Sequence, residues 1–426
     1  MNNEKGVFYR SWLSLMPLAF FLLAYLGGSI AIGDFYKIPI TIAFLVSAAF
    51  AIGVSKGNFN KRLKIFSAGA SDKNILLMVW IYILAGAFAA AAKATGAVDA
   101  TVNLTLSLLP ANMIFLAIFV AAALVSLSIG TSVGTIVALT PIAVGVAEQT
   151  GQSVVELAAI VVGGSYFGDN LSFISDTTIA ATQTQGCRMN DKFKMNVRII
   201  WPAFLIMLIY CIIAGIQADA KAVVGEIDYL AVVPYLAVIL LSVIGVHVLI
   251  VLSGGILLSG IVGISTGSVP FWDYLSVMGS GVTGMGELVV VALLAGGMLE
   301  LIRANGGLRL IIGFFQRGVH SSRGAEAAIA GLVSVANVCT ANNTVAIITV
   351  GRIAKDVASR FNVDPRRAAS LLDTASCCVQ GLLPYSVQML LASNLADCSP
   401  LEILPHLYYP ILIGICAIAS ILFRKH

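Results

Sequence analysis

The chain has 426 residues, 59% of them hydrophobic and only 11% charged, with mean hydropathy +0.96 and a formal net charge of +4. Soluble domains carry about 25% charged residues, so this composition excludes an ordinary water-soluble enzyme or nucleic-acid-binding protein and makes the lipid bilayer the first partner. Seven cysteines (187, 211, 339, 377, 378, 398 and 416) lie mostly inside apolar runs without metal-ligand spacing; they read as buried thiols, and no cofactor is expected.

The first apolar run, roughly 12–32, follows Lys5 and Arg10 but has no small-residue cleavage site, so it reads as a first transmembrane helix rather than a signal peptide. Runs long enough to span follow near 38–55, 74–95, 103–127, 132–150, 154–183 and 197–218, then near 229–251, 253–269, 284–302, 323–340, 342–358, 366–394 and 404–423. The expected fold is an all-α polytopic membrane protein of about 12–14 transmembrane segments, some of whose polar runs are re-entrant. With the N-terminus inside, only Lys37, Lys93 and Lys221 fall outside; loops 56–73, 186–198 and 352–367 and the C-terminal tail carry most other cations. The positive-inside rule then places both termini in the cytoplasm, within a cytoplasmic (inner) membrane. Lysines and arginines elsewhere are read as topology markers.

The chain also resembles itself. "AGAFAAAAKATGAV" (85–98) aligns with "AGGMLELIRANGGL" (295–308), a shift of 210, and a shift of 209 pairs Thr131, Thr135 and Thr140 with Thr340, Thr344 and Thr349. The organisation expected is two leading helices (1–73), a first repeat (74–218), linking helices (219–283) and a second repeat (284–426). Five crossings per repeat with two between them would invert the second repeat, and inverted repeats with broken helices mark secondary transporters. The breaks are expected at Gly163, Gly164 and Gly168 in one half and at Gly381 and Pro384 in the other.

The candidate chemistry lies in "GGSYFGDNLSFISDTTIAATQTQGC" (163–187), where two acids stand among hydroxyls inside an apolar chain. Intramembrane carboxylates are costly and default to function. Interrupted helices free backbone carbonyls, and these join Asp169, Asn170, Ser172, Ser175, Asp176, Thr177 and Thr178 as oxygen ligands suited to a hard cation. The bland alternative is that Asp169 and Asp176 only cap half-helices. Two nearby acids that cannot both ionise cheaply would let a proton and a cation compete, the minimum requirement for antiport.

Secondary candidates are Asp373, set against a simple pairing with Arg366 or Arg367, and the polar tips holding Thr131 and Thr135 or Asn342 and Asn343. Glu300 could serve the site or merely pair with Arg303. His247 is read as a packed, hydrogen-bonded residue ahead of a proton shuttle.

"GGSYFGDNLSFISDTT" resembles the NhaC family signature G-x-x-F-G-D-x-x-S-x-x-S-D-T-T at Gly164, Phe167, Gly168, Asp169, Ser172, Ser175, Asp176, Thr177 and Thr178. "LLDTASCCVQGLLPYS", "AGGMLELI" and "GTSVGT" look similar to other elements of that family of sodium/proton antiporters. The resemblance implies an inverted-repeat transporter exchanging Na⁺ for H⁺, with Na⁺ at Asp169 and Asp176 and cation-site roles for Ser172, Ser175 and Thr177. The expected partners are Na⁺, protons and lipid, with no nucleic acid and with a homodimer left open. The alternative within transport is Na⁺- or H⁺-coupled carriage of an organic anion or amino acid, which needs an anion site; no well-buried Arg or Lys is evident beyond Lys93 and Arg303. An intramembrane aspartyl protease ranks far behind, because its acids belong on facing helices.

Overall fold

The computed structural model describes residues 13–28, 38–108, 110–172, 175–218, 225–307, 310 and 319–423. Among them there is no strand. The helices, in chain order, are α1 (Met16–Leu22), α2 (Ile40–Val54), α3 (Phe59–Ala70), α4 (Lys73–Ala94), α5 (Ala97–Leu108), α6 (Ile114–Ile129) and α7 (Ser132–Thr150). Then come α8 (Val154–Leu171), α9 (Asp176–Gln185), α10 (Met189–Gln217), α11 (Tyr229–Val243), α12 (Val248–Ser265), α13 (Phe271–Gly284) and α14 (Gly286–Ala304). The last six are α15 (Ser322–Thr340), α16 (Asn343–Arg360), α17 (Pro365–Leu382), α18 (Val387–Leu395), α19 (Pro400–Ile403) and α20 (Tyr408–Leu422).

Seven described spans are long and apolar enough to cross a bilayer, or eight if Pro400–His406 and Tyr408–Leu422, bent by 53°, form one. Four shorter apolar helices accompany them, including α6 and α11. The expected 12–14 spans thus shrink under a strict length test for identifiable reasons. The run near 103–127 divides into α5 and α6, and the run near 229–251 ends at Val243. Residues 59–70, expected in a cationic loop, form α3 because Asn58 caps it, accepting from Lys61 N at 2.9 Å. Residues 219–224 and the last three, on which part of the expected sidedness rests, lie outside the described residues.

Two helical hairpins and two broken helices organise the centre. The hairpin α6–α7 turns at Gly130 (φ +72°) and Thr131 (φ −145°); α15–α16 turns at Ala341 (φ +49°) and Asn342 (φ −147°). Both α8 and α17 have 18 residues and end in extended backbone, at Ser172 and Leu383. Each chain restarts behind a serine N-cap: Ser175 accepts from Thr178 N, and Ser386 accepts from Met389 N. These paired positions stand 211 residues apart, while Gly96 and Gly306, both with positive φ, keep the spacing of 210. The tips are tied to the broken helices in the same register: Ser126 Oγ donates to Ser165 O at 2.5 Å and Asn337 Nδ2 to Ser376 O at 2.8 Å.

That register corrects the alignment made on hydroxyl residues. Thr131 stands opposite Asn342 rather than Thr340, and Asp169 opposite Gln380. The glycines are corrected as well. Gly163, Gly164 and Gly168 sit inside α8, upstream of the break. Their role is close packing: a Cβ on Gly168 would lie 2.2 Å from the Ser126 carbonyl carbon, and one on Gly164 2.6 Å from Ala122 Cβ. Gly381 packs on Pro410 in the same way, with 2.7 Å to a Cβ.

Candidate cation-binding site

Asp169 lies two residues before the end of α8 and is 5% exposed. Its Oδ1 accepts from Ser132 N at 2.9 Å and its Oδ2 from Ser132 Oγ at 2.5 Å. Ser132 opens α7, so the carboxylate caps that helix from another element, where unpaired N–H groups and the helix field favour an anion. A buried carboxylate without such partners would be very costly.

The break next to Asp169 supplies the carbonyls that sequence analysis anticipated. Asp169 O accepts from Ser175 Oγ at 2.8 Å and Thr177 Oγ1 at 3.3 Å. Asn170 O accepts from Asn196 Nδ2 and Lys192 Nζ, both at 2.8 Å. Ser172 is 2% exposed and donates its backbone N–H to Gly168 O at 2.7 Å.

A cavity of about 120 Å³ opens on this break. Thr131, Ser132, Asp169, Asp176 and Thr177 line it from the first half; Asn342, Asn343, Gln380 and Gln388 line it from the second. Asp176, at the first position of α9, is exposed, whereas Asp169 is held on both oxygens. Both acids therefore face one cavity, but only Asp169 is built into its wall.

The opposite wall is made of amides. Gln380 Nε2 donates to Ala341 O at 2.9 Å and to Gln388 Oε1 at 3.0 Å, and Gln388 Nε2 donates to Ser132 Oγ at 3.0 Å. Ser132 Oγ donates its own proton to Asp169, so the chain of bonds crosses from one half to the other. Gln380 Oε1 and Asn343 Nδ2 are buried without a hydrogen-bond partner in this wall.

The remaining candidates separate. Thr135 is buried off the cavity, its hydroxyl donating to Thr131 O at 3.1 Å. Asn342 caps α16 through Val345 N at 2.9 Å. Glu300 does not line the small cavity and stands 3.5 Å from Arg303 in an i,i+3 pair. It lines a larger groove of about 480 Å³ that also holds Asp72 and Lys73 and shares Asn74 and Asn342 with the small cavity. His247 is an exposed N-cap, its Nδ1 accepting from Leu249 N at 3.3 Å, rather than a packed residue. All seven cysteines are free thiols, buried or half-buried.

The largest correction concerns cations. Lys93 is exposed and Arg303 is 65% exposed, so neither is a buried cation. Among the described residues the buried ones are Lys192 and Arg367. Asp373, expected to face the cavity or pair with Arg366 or Arg367, instead pairs with Lys192 at 2.6 Å, with exposures of 0% and 1%. Arg366 takes Asp364, and Arg367 takes Glu326 at 3.1 Å. Lys192 Nζ also donates to Thr178 Oγ1 at 2.6 Å. A signal was available: the buried residues of α10 recur as 192, 196, 199, 200, 203, 207, 211 and 215, a single helical face that extends back through Asn196 to Lys192.

A helical membrane protein with two broken helices and a buried acid beside a polar cavity has the build of a membrane transporter. The chain belongs to the Na⁺/H⁺ antiporter family, whose sequence profile matches residues 11–218 and again 212–425. It is 22% identical over 374 residues to the Bacillus subtilis Na⁺/H⁺ antiporter NhaC, covering 79% of this chain and 80% of that one. It is likewise 22% identical over 433 residues to the malate-2H⁺/Na⁺-lactate antiporter of the same organism, covering 92% of each. The crystal structure of the Alcanivorax borkumensis YdaH transporter, 11% identical, aligns with a TM-score of 0.45 over 89% of this chain and 95% of that one.

Proposed function

We propose that the protein is a secondary active transporter that exchanges Na⁺ for H⁺ across the cytoplasmic membrane by alternating access, with both termini cytoplasmic. The observation that carries the reading is the buried Asp169 carboxylate at the edge of a helix break, facing a cavity with hydroxyl oxygens beside it. A carboxylate there can hold either a proton or a dehydrated cation, and each arrival favours loss of the other. Ser132 fixes the carboxylate, Thr177 and Asp176 add oxygens on the cavity side, and the two hairpins with their broken helices would form inverted repeats that rock about the site. The residues of 74–218 and 284–426 are the two repeats in this reading.

The second reading is Na⁺- or H⁺-coupled carriage of a small organic anion. Its support is the amide wall, with the unpartnered Asn343 Nδ2 as a donor, together with the equal identity to a malate/lactate antiporter. Proteoliposomes containing a pH reporter separate the two. Sodium added without any organic solute should release lumenal protons; flux that appears only when a carboxylate is supplied would hand the site to the second reading.

A further inference from the structure

The Lys192 ammonium has three donors, and it meets three oxygens of three different kinds: Asp373 Oδ2 at 2.6 Å, Thr178 Oγ1 at 2.6 Å and Asn170 O at 2.8 Å. They come from α17, α9 and the end of α8, so the cradle closes only when three elements and α10 are in place. A carboxylate, a hydroxyl and a carbonyl freed at a helix break form the donor set that suits a hard monovalent cation.

Two features argue against a purely structural pair. Buried ion pairs are often no more stabilising than apolar residues of the same volume. Lys192 is also the fourth residue of α10, in the turn where the helix field disfavours a cation. The same position gives it an exit, since a long, flexible stem rooted one turn from a helix end can carry its ammonium outward past that end.

We propose that the cradle of Asp373, Thr178 and Asn170 is a second monovalent-cation site, occupied by the Lys192 ammonium in this conformation and by Na⁺ when Lys192 swings out. Lys192 is then a tethered competitor. It keeps the Asp373 charge balanced while the site is empty of Na⁺, next to the helix break that Asp169 shares. This assignment rests on the reading of the protein as a Na⁺ transporter.

Equilibrium binding of radioactive Na⁺ to the purified full chain tests it, with Lys192→Gln and Lys192→Gln/Asp373→Asn compared against wild type. At a Na⁺ concentration too low to displace Lys192 from wild type, the bound Na⁺ per chain should rise about twofold in Lys192→Gln and return to the wild-type value in the double variant. A folded Lys192→Gln with unchanged stoichiometry overturns the proposal, as does extra Na⁺ that survives Asp373→Asn. Wild type that binds no Na⁺ would sink the Asp169 reading alone, since the gain in Lys192→Gln would still report the cradle. Should Lys192→Gln fail to fold, wild type itself is probed with a small amine-reactive reagent and peptide mass spectrometry. Labelling of Lys192 that increases severalfold in saturating Na⁺ over equal choline supports displacement; labelling indifferent to Na⁺ overturns it.

Discussion

The two central half-sites share a backbone and differ in chemistry. Each has a hairpin tip with one left-handed residue, a helix start beside it, and a broken helix whose second piece begins behind a serine cap. The first half places Asp169, Ser132 and Thr177 at these points; the second places Gln380, Asn343 and Gln388. Duplicated geometry therefore carries one charged wall and one neutral wall. The backbone supplies the freed carbonyls and helix ends, and of the paired positions 169 and 380 only the first carries a carboxylate. Gln380 can donate and accept but cannot titrate.

The largest effect should come from making the two walls alike. Asp169→Asn keeps an acceptor for Ser132 N but removes the charge and the exchangeable proton. Sodium-driven proton release should fall by at least roughly 100-fold, the equivalent of about 3 kcal/mol, with insertion little changed. Normal exchange by vesicles matched for protein would make this acid a helix cap and nothing more.

Asp176→Asn comes next. The hydroxyl-rich segment reads as a shell around Asp176, which would make it the more sensitive acid. The structure instead turns those hydroxyls inward: Ser175 and Thr177 serve Asp169 O, and Thr178 serves Lys192. Exposed Asp176 would meet a cation in the cavity as an exposed ion pair does, for about 0.2–1 kcal/mol. Its removal should raise the Na⁺ concentration for half-maximal exchange by about threefold, the change that corresponds to the middle of that range. A loss equal to that of Asp169→Asn would show that the two acids act as one unit.

How far the sequence reached follows from the range of each signal. The polar stretch and the tips are local composition set against an apolar background, so Asp169, Asp176 and Thr177 emerged directly, as did the existence of two breaks. Break position emerged in the second half, where Pro384 lies between α17 and α18, but not in the first, where glycine reads as an interruption. In α8 it is a contact surface, a property that depends on the partner helix about 40 residues earlier, where Ser126 and Ala122 lie. Lys192 was missed for a related reason. Its acceptors are 14, 22 and 181 positions away, and a cation beside Arg188 and Lys194 reads as part of a topology signal. The register shift had the same origin, since hydroxyl matches outweighed the turn geometry at Gly130 and Ala341.

That turn gives a third way to sharpen the comparison. Gly130 takes positive φ freely, while Ala341 adopts φ +49° with a Cβ, at a cost of about 1–2 kcal/mol. Its carbonyl is held by Gln380. Ala341→Gly should raise the thermal unfolding midpoint in detergent, by an amount reflecting about 1 kcal/mol once the added unfolded-state freedom of glycine is subtracted. A lowered midpoint would mean that the methyl group packs better than the backbone strain costs.

The smallest effect belongs to Glu300→Gln, and its smallness is informative. Glu300 lies near the end of α14, and it lines the groove that meets the cavity at Asn74 and Asn342. An acid there could concentrate cations on the way to Asp169. It pairs with Arg303 at 3.5 Å, however, with the two side chains 35% and 65% exposed. Such pairs contribute about 0–1 kcal/mol and are screened by salt. Gln keeps the shape, so stability and exchange at physiological ionic strength should stay within about 30% of wild type, the change expected for ~0.2 kcal/mol. Repeating the flux measurement at low ionic strength separates a passive pair from a steering charge, because steering grows as screening falls. A deficit that deepens severalfold in low salt would make the groove the cation's approach; a flat ratio leaves Glu300 as a surface partner of Arg303.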